Sequence, residues 1–177
     1  FHYLHHAAGG AAYDNPAEMS ARIAAAADQT GLGLTLLPVL YQRGGCDGRA
    51  LNAGQARFGN TADSYARLWQ GAQAALAGLP ADTVLGVAPH SLRAVSPAGL
   101  ASVVALAPEA PVHIHVAEQV AEVEELVAHT GARPVEWLLA HAPVNGRWCA
   151  IHATQMLPFE TVGLARSGAV AGLCPIT

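Results

Sequence analysis

Residues 112–118 read Val112-His113-Ile114-His115-Val116-Ala117-Glu118, and this stretch decides the fold. Val112, Ile114 and Val116 alternate with His113 and His115, the period-two signature of a strand with two unlike faces. Pro111 bounds the run on one side, and a helical pattern spanning Glu118–His129 takes over on the other. A strand that ends in His115, with Glu118 in the turn just beyond, sets a neutral imidazole beside a carboxylate. The first can ligate a metal and the second can carry protons between water and substrate. A lone histidine on an apolar strand is more often a satisfied core residue, so His115 gains its meaning from Glu118. His113 shares the face of His115 and reads as a supporting or structural residue.

The same texture recurs along the chain. Leu34–Leu40, Thr83–Ala88, Trp148–His152 and Ala169–Cys174 are short apolar runs bounded by Gly or Pro, as buried parallel strands are. Helical patterns separate them. Asn15-Pro16 offers an N-cap and a first-turn proline, with Glu18 in the first turn, and Asn60–Leu76 is Ala-rich with helical spacing. Ser96-Pro97 opens another helix, and Leu157–Arg166 forms one more. Strand and helix alternating through short connections predict a mostly parallel α/β sheet. Periodicity leaves open whether such a sheet is doubly wound or closed into a barrel, and the absence of a glycine-rich phosphate fingerprint counts against nucleotide-binding doubly wound folds. The segment 44–60, opening on Gly44-Gly45, is expected to be a loop near the functional face.

Composition narrows the function classes. Hydrophobic residues make up 52% of the 177, charged residues 12%, and the formal net charge is −4, so a large buried core is expected. The nine basic residues are all Arg and are scattered, which gives no footprint for nucleic acid or an anionic membrane. No apolar run reaches the ~18–20 residues of a bilayer span. Cys46, Cys149 and Cys174 are odd in number and widely spaced, which points to a reducing cytoplasm rather than a disulfide framework.

Nine histidines in so weakly charged a chain call for an explanation. Tyr3, His90, His115 and His152 each follow or end a predicted strand, and in parallel barrels that end carries the active site. His152 closes Cys149-Ala150-Ile151-His152 and is placed to hold an attacking water or stabilise developing charge. Arg93, in Pro89-His90-Ser91-Leu92-Arg93, offers a bidentate fork for a carboxylate, or else a salt bridge to a surface acid. His2, His5 and His6 line the site or sit in an exposed loop. His129 and His141 end helical stretches, where a cation suits the helix dipole. Glu122, Glu124 and Glu125 are expected on a solvated helix face.

Taken together, these residues resemble the mononuclear zinc deaminases of the amidohydrolase superfamily, and the sequence is similar to the formimidoylglutamate deiminases. The segments that carry the similarity are Phe1-His2-Tyr3, 34–41, His90-Ser91-Leu92-Arg93-Ala94-Val95, 112–119 and 166–174. The resemblance implies a (β/α)8 TIM barrel of the amidohydrolase type. Residues 1–177 would be the central part of that metal-dependent hydrolase domain, from the end of strand two to strand seven, truncated at both ends.

The resemblance also implies roles. His115 would be a metal ligand, Glu118 and His152 the catalytic pair, and Tyr3, His90 and Arg93 the groups that hold the substrate. The reaction would be zinc-dependent hydrolytic deimination of N-formimino-L-glutamate in histidine degradation, giving N-formyl-L-glutamate and ammonia. Iron is an alternative metal. A homodimer, a cytoplasmic setting and a small acidic substrate follow from the same likeness. The family's other metal ligands, a His-x-His pair and an Asp, find no counterpart in this sequence, so the 177 residues alone are expected to be inactive. A deaminase or chlorohydrolase of the same superfamily acting on a guanine-like or triazine-like ring is the alternative enzyme. An inactive barrel retained as a module is the alternative outside catalysis.

Overall fold

A computed structural model of the chain describes residues 1–176. Its strands are β1 (Thr35–Leu36), β2 (Val39–Leu40), β3 (Val84–Leu85), β4 (Ala88–Pro89), β5 (Val112–Val116), β6 (Trp148–His152) and β7 (Val170–Gly172). Its helices are α1 (Glu18–Thr30), α2 (Ala62–Ala75), α3 (Pro97–Leu106), α4 (Val120–Thr130), α5 (Pro134–His141) and α6 (Pro158–Ser167).

The strands lie side by side in chain order and every pairing is parallel. β1 pairs with β3, β2 with β4, and β5, β6 and β7 form one sheet. Isolated bridges at His2–Pro38, Val87–Val112 and Ser91–His115 join these pieces into one array that begins at the N-terminal segment. No pairing among the described residues joins β7 back to that segment, so the array is open. The α/β alternation expected from the sequence is present, and a closed barrel is not seen.

Two expected strands are each broken in the middle. The run 34–40 splits into β1 and β2 around Pro38, which has no N–H to give to a ladder. The run 83–88 splits at Gly86-Val87. A Cβ on Gly86 would meet Leu37 Cδ2 at 2.5 Å and the Pro111 carbonyl at 2.7 Å, so only glycine permits this approach of neighbouring strands. The last expected strand shrinks to Val170–Gly172.

Val112, Ile114 and Val116 are fully buried and pack with Leu100, Val103, Leu126, Leu138, Trp148 and Leu164 from the flanking helices and β6. Each such aliphatic side chain stabilises the fold by about 1.5–3 kcal/mol. His113 and His115 face the opposite side of β5 and are half-buried. Helix starts follow local chemistry. Thr61 and Ser64 form a reciprocal capping box on α2, and Ser96 Oγ accepts the Gly99 N–H at 3.0 Å ahead of α3. Asn15 caps only the turn before α1, taking the Ala17 N–H at 3.0 Å, so the helix itself begins at Glu18.

β5 and β6 are linked by two helices in succession, α4 and α5. The second is tied to α6 by Glu160, whose side chain is fully buried. Its carboxylate accepts Arg133 Nε at 2.7 Å and the N–H groups of Leu157, Val135 and Glu136 at 2.9, 3.2 and 3.3 Å.

Candidate active site

His90, His115 and His152 follow or end three adjacent strands, and their rings form a row at one rim of the array. The His90 and His115 centroids are 4.9 Å apart, and those of His115 and His152 are 5.4 Å apart. Phe1 packs edge-on against His115 at 4.5 Å, and Tyr41 against His90 at 4.5 Å. Tyr3 stands farther out, 6.2 Å from His90, and packs on Phe58 at 4.6 Å. Phe58 and Gln55, which donates to the Tyr41 hydroxyl at 2.9 Å, bring the segment 44–60 to this face as expected.

The tautomer of His115 is fixed by its neighbour. Its Nδ1 lies 2.9 Å from the His90 carbonyl, which only accepts, so Nδ1 carries the proton and Nε2 keeps a free lone pair. This is how a metal-ligating histidine is oriented in general, with one nitrogen donating to a carbonyl and the other left to the ion. Burial, chiefly, holds its pKa below the usual imidazole value; the bond to the His90 carbonyl and the Glu118 carboxylate oppose the shift, and His152 and Arg93 add to it. His90 is pushed down to about 3, by burial first and then by His115 and Arg93. Its Nδ1 is 3.1 Å from Ser91 Oγ, which itself accepts the Ala94 N–H at 3.3 Å.

Glu118 and His152 meet across the sheet, with Oε1 and Nε2 3.6 Å apart. Strand alternation would give His152 the direction of the core-facing residues Trp148 and Ala150. Its backbone instead turns left-handed at φ 72°, and Ala153 follows at 51°. Ala117, just before Glu118, is left-handed too, at 52°. Three such non-glycine residues at two adjacent strand ends are a concentration of strain characteristic of functional sites. His152 Nδ1 is buried with no hydrogen-bond partner among the described residues.

Arg93 makes no ion pair among the described residues, and its Nε is buried without a partner, so the alternative of a surface salt bridge is not what the structure forms. Its loop is held from below. Arg43 donates to the carbonyls of Arg93, Leu92 and Val95 at 3.2, 3.1 and 3.0 Å. A cavity of about 180 Å³ behind this loop, lined by Arg43, Leu92, Leu126, His129 and Trp137, shares none of the rim residues.

Several sequence expectations need correction. Glu122 is not on a solvated face. It is 4% exposed and accepts the N–H groups of Ala117 and Glu118 at 3.1 and 2.8 Å. Burial raises its pKa, while those N–H bonds and Arg93 oppose the shift. Glu125 also has partners, taking the Cys46 N–H at 2.9 Å. His5 is neither in an exposed loop nor at the rim. It is buried and its Nε2 donates to the Val39 carbonyl at 2.8 Å. His2 Nε2 pairs with Ser20 Oγ at 3.0 Å, and His6 Nε2 donates to the Gly59 carbonyl at 2.7 Å. These three histidines anchor the segment that carries Tyr3. The sequence signal for Glu122 was weak because it opens a run of acids, Glu122, Glu124 and Glu125, that reads as one solvated face.

Among the described residues, no three His, Cys, Asp or Glu side chains gather within reach of one ion. His115, with its free Nε2, stands among the described residues without a second and third donor beside it that could close a metal site. No helix among the described residues is long and apolar enough to cross a membrane.

No family model matches the chain. It is 49% identical to a curated formimidoylglutamate deiminase from Pseudomonas aeruginosa over 175 residues, which cover 98% of this chain and 38% of that protein. Among solved structures, an amidohydrolase from Brucella melitensis matches with a TM-score of 0.97 and 58% identity, over 99% of this chain and 39% of that one. An adenosine deaminase from Xanthomonas campestris with bound zinc matches with a TM-score of 0.72 and 26% identity, over 88% and 33%. The similarity to formimidoylglutamate deiminases read from the residues is borne out. The chain spans about two-fifths of the length of the relatives it matches.

Proposed function

We propose that the chain is the central part of a metal-dependent (β/α)8 hydrolase barrel that converts N-formimino-L-glutamate to N-formyl-L-glutamate and ammonia. One observation carries this reading. Glu118 and His152 converge to 3.6 Å beside His115, whose Nδ1–H is committed to the His90 carbonyl and whose Nε2 is left free.

His115 would be the residue of this chain that holds zinc, through Nε2, with the remaining ligands supplied by other residues of the complete enzyme. When bound, zinc acts as a Lewis acid that makes water a nucleophile near neutral pH. Water adds to the formimino carbon. Glu118 takes a proton from it and delivers that proton to the imino nitrogen, leaving a tetrahedral carbon that bears a hydroxyl and an amino group. Glu118 then carries the hydroxyl proton to that amino nitrogen, so that ammonia leaves as the C–N bond breaks and the formyl C=O forms. His152 orients the water and stabilises charge that develops at the carbon being attacked. Arg93, with an unspent Nε and a loop pinned by Arg43, takes a substrate carboxylate. His90 and the Tyr3 hydroxyl complete the recognition face.

The setting is cytoplasmic, in keeping with three unpaired cysteines, and the substrate is small and acidic. The acidic substrate is what sets this reading apart from a deaminase of flat, uncharged rings, which would leave Arg93 without a partner. The test is ammonia release by the complete enzyme carrying this chain, with N-formimino-L-glutamate, guanine and adenosine offered separately. Turnover of the first alone is expected, and turnover of a purine in its place would overturn the assignment.

A further inference from the structure

The turn that carries Glu118 rests on a buried acid that the proposed reaction does not use. Glu122 is 4% exposed, and both of its carboxylate oxygens are engaged. Oε1 accepts the Ala117 N–H at 3.1 Å and Oε2 the Glu118 N–H at 2.8 Å. An acid in a first helical turn ordinarily reaches back only to its N-cap, here Gln119. Glu122 reaches beyond it, to the residues that join β5 to the turn.

Ala117 is held from both sides. Its φ of 52° is one that a residue with a Cβ keeps only when its surroundings impose it. While Glu122 grips its N–H, its carbonyl accepts the N–H groups of Thr154 and Gln155 at 3.1 and 2.8 Å, and these lie in the turn directly after His152. One peptide unit therefore ties the strand end that presents Glu118 to the strand end that presents His152. Ala117 and Glu122 are both buried, which keeps water from replacing the carboxylate at the Ala117 N–H.

We propose that Glu122 is a positioning residue for the reaction. Its carboxylate fixes the left-handed turn at Ala117 and so sets where the Glu118 carboxylate stands relative to His152 and His115. This inference rests on the reading of Glu118 as the proton carrier. Glu122→Gln keeps the shape but turns one acceptor into a donor that faces an N–H, so at least one of the two bonds is lost.

The test is steady-state kinetics of the complete zinc-loaded enzyme carrying Glu122→Gln or Glu122→Asp, with bound zinc and thermal midpoint measured in parallel. The expected result for Glu122→Gln is a kcat at least tenfold lower, KM within threefold of the unmodified enzyme, and unchanged zinc content. Glu122→Asp, which restores a carboxylate, is expected to recover part of kcat. A folded Glu122→Gln enzyme with kcat within twofold of normal overturns the proposal, as does a loss confined to KM. Amide hydrogen exchange in the unmodified enzyme is a second measurement that needs no variant and no substrate, and so is independent of the deiminase reading. Ala117 and Glu118 amides exchanging as slowly as those of β5 support the grip, and fast exchange at both overturns it.

Discussion

His152 Nε2 stands 3.6 Å from Glu118 Oε1, although His152 has the strand parity of the core-facing Trp148 and Ala150. The left-handed backbone at His152, at φ 72°, and the matching turn at Ala117 bring the two side chains to one place at the rim. An imidazole and a carboxylate so placed, next to a histidine with a free Nε2, are suited to moving protons at a water held between them.

His152→Gln is expected to lower kcat by about 10²–10³-fold, because a preorganised group facing developing charge contributes on that scale. KM should change little. Steady-state kinetics on the complete enzyme checks this, and a loss carried by KM alone would assign His152 to substrate binding instead.

Arg93→Ala should raise KM for N-formimino-L-glutamate by about ten- to hundredfold, the worth of a charge-assisted hydrogen-bonding group. Arg93→Lys should recover only part, since an ammonium lacks the planar fork. An unchanged KM in Arg93→Ala sinks the carboxylate role.

His115→Ala should weaken zinc binding by more than the roughly 10–100-fold typical of losing an outer partner of a ligand. Metal content after dialysis against a chelator of graded strength reads this out directly. Retention of zinc at the level of the unmodified enzyme would mean that His115 is not a ligand.

Acid should loosen the segment that carries Tyr3. Burial lowers the His5 pKa from the usual 6.5 to about 4, against the opposing pull of its bond to the Val39 carbonyl. Because the folded value lies below the unfolded one, the neutral ring's contribution is complete above about pH 6.5. It is lost as the pH falls toward 4, at up to about 1.4 kcal/mol per pH unit. Urea denaturation of the complete enzyme at pH 7 and pH 5 should show this decline, and His5→Gln should make it shallower, leaving the share of the likewise buried His2 and His90. Equal slopes in both proteins would contradict the assignment.

The strand ends were legible in the sequence because each is a short apolar run that stops at a polar residue, as at His115 and His152. Glu118 was legible because it lies close to His115 in sequence. Glu122 was not. Its burial comes from Ala117 turning left-handed, which swings two N–H groups toward the first turn of α4, and no local periodicity encodes that reversal. His5 was misplaced because its partner is the carbonyl of Val39, 34 residues away. The breaks between β1 and β2 and between β3 and β4 were signalled by Pro38 and Gly86, yet the apolar runs around them read as continuous.

The most direct test of the central claim is the rate of ammonia release from N-formimino-L-glutamate by the complete zinc-loaded enzyme carrying Glu118→Gln. A proton carrier in the transition state is worth about 10²–10⁴-fold, so kcat should fall by that factor while zinc content and KM stay near those of the unmodified enzyme. A Glu118→Gln enzyme that releases ammonia within tenfold of the normal rate would contradict the account.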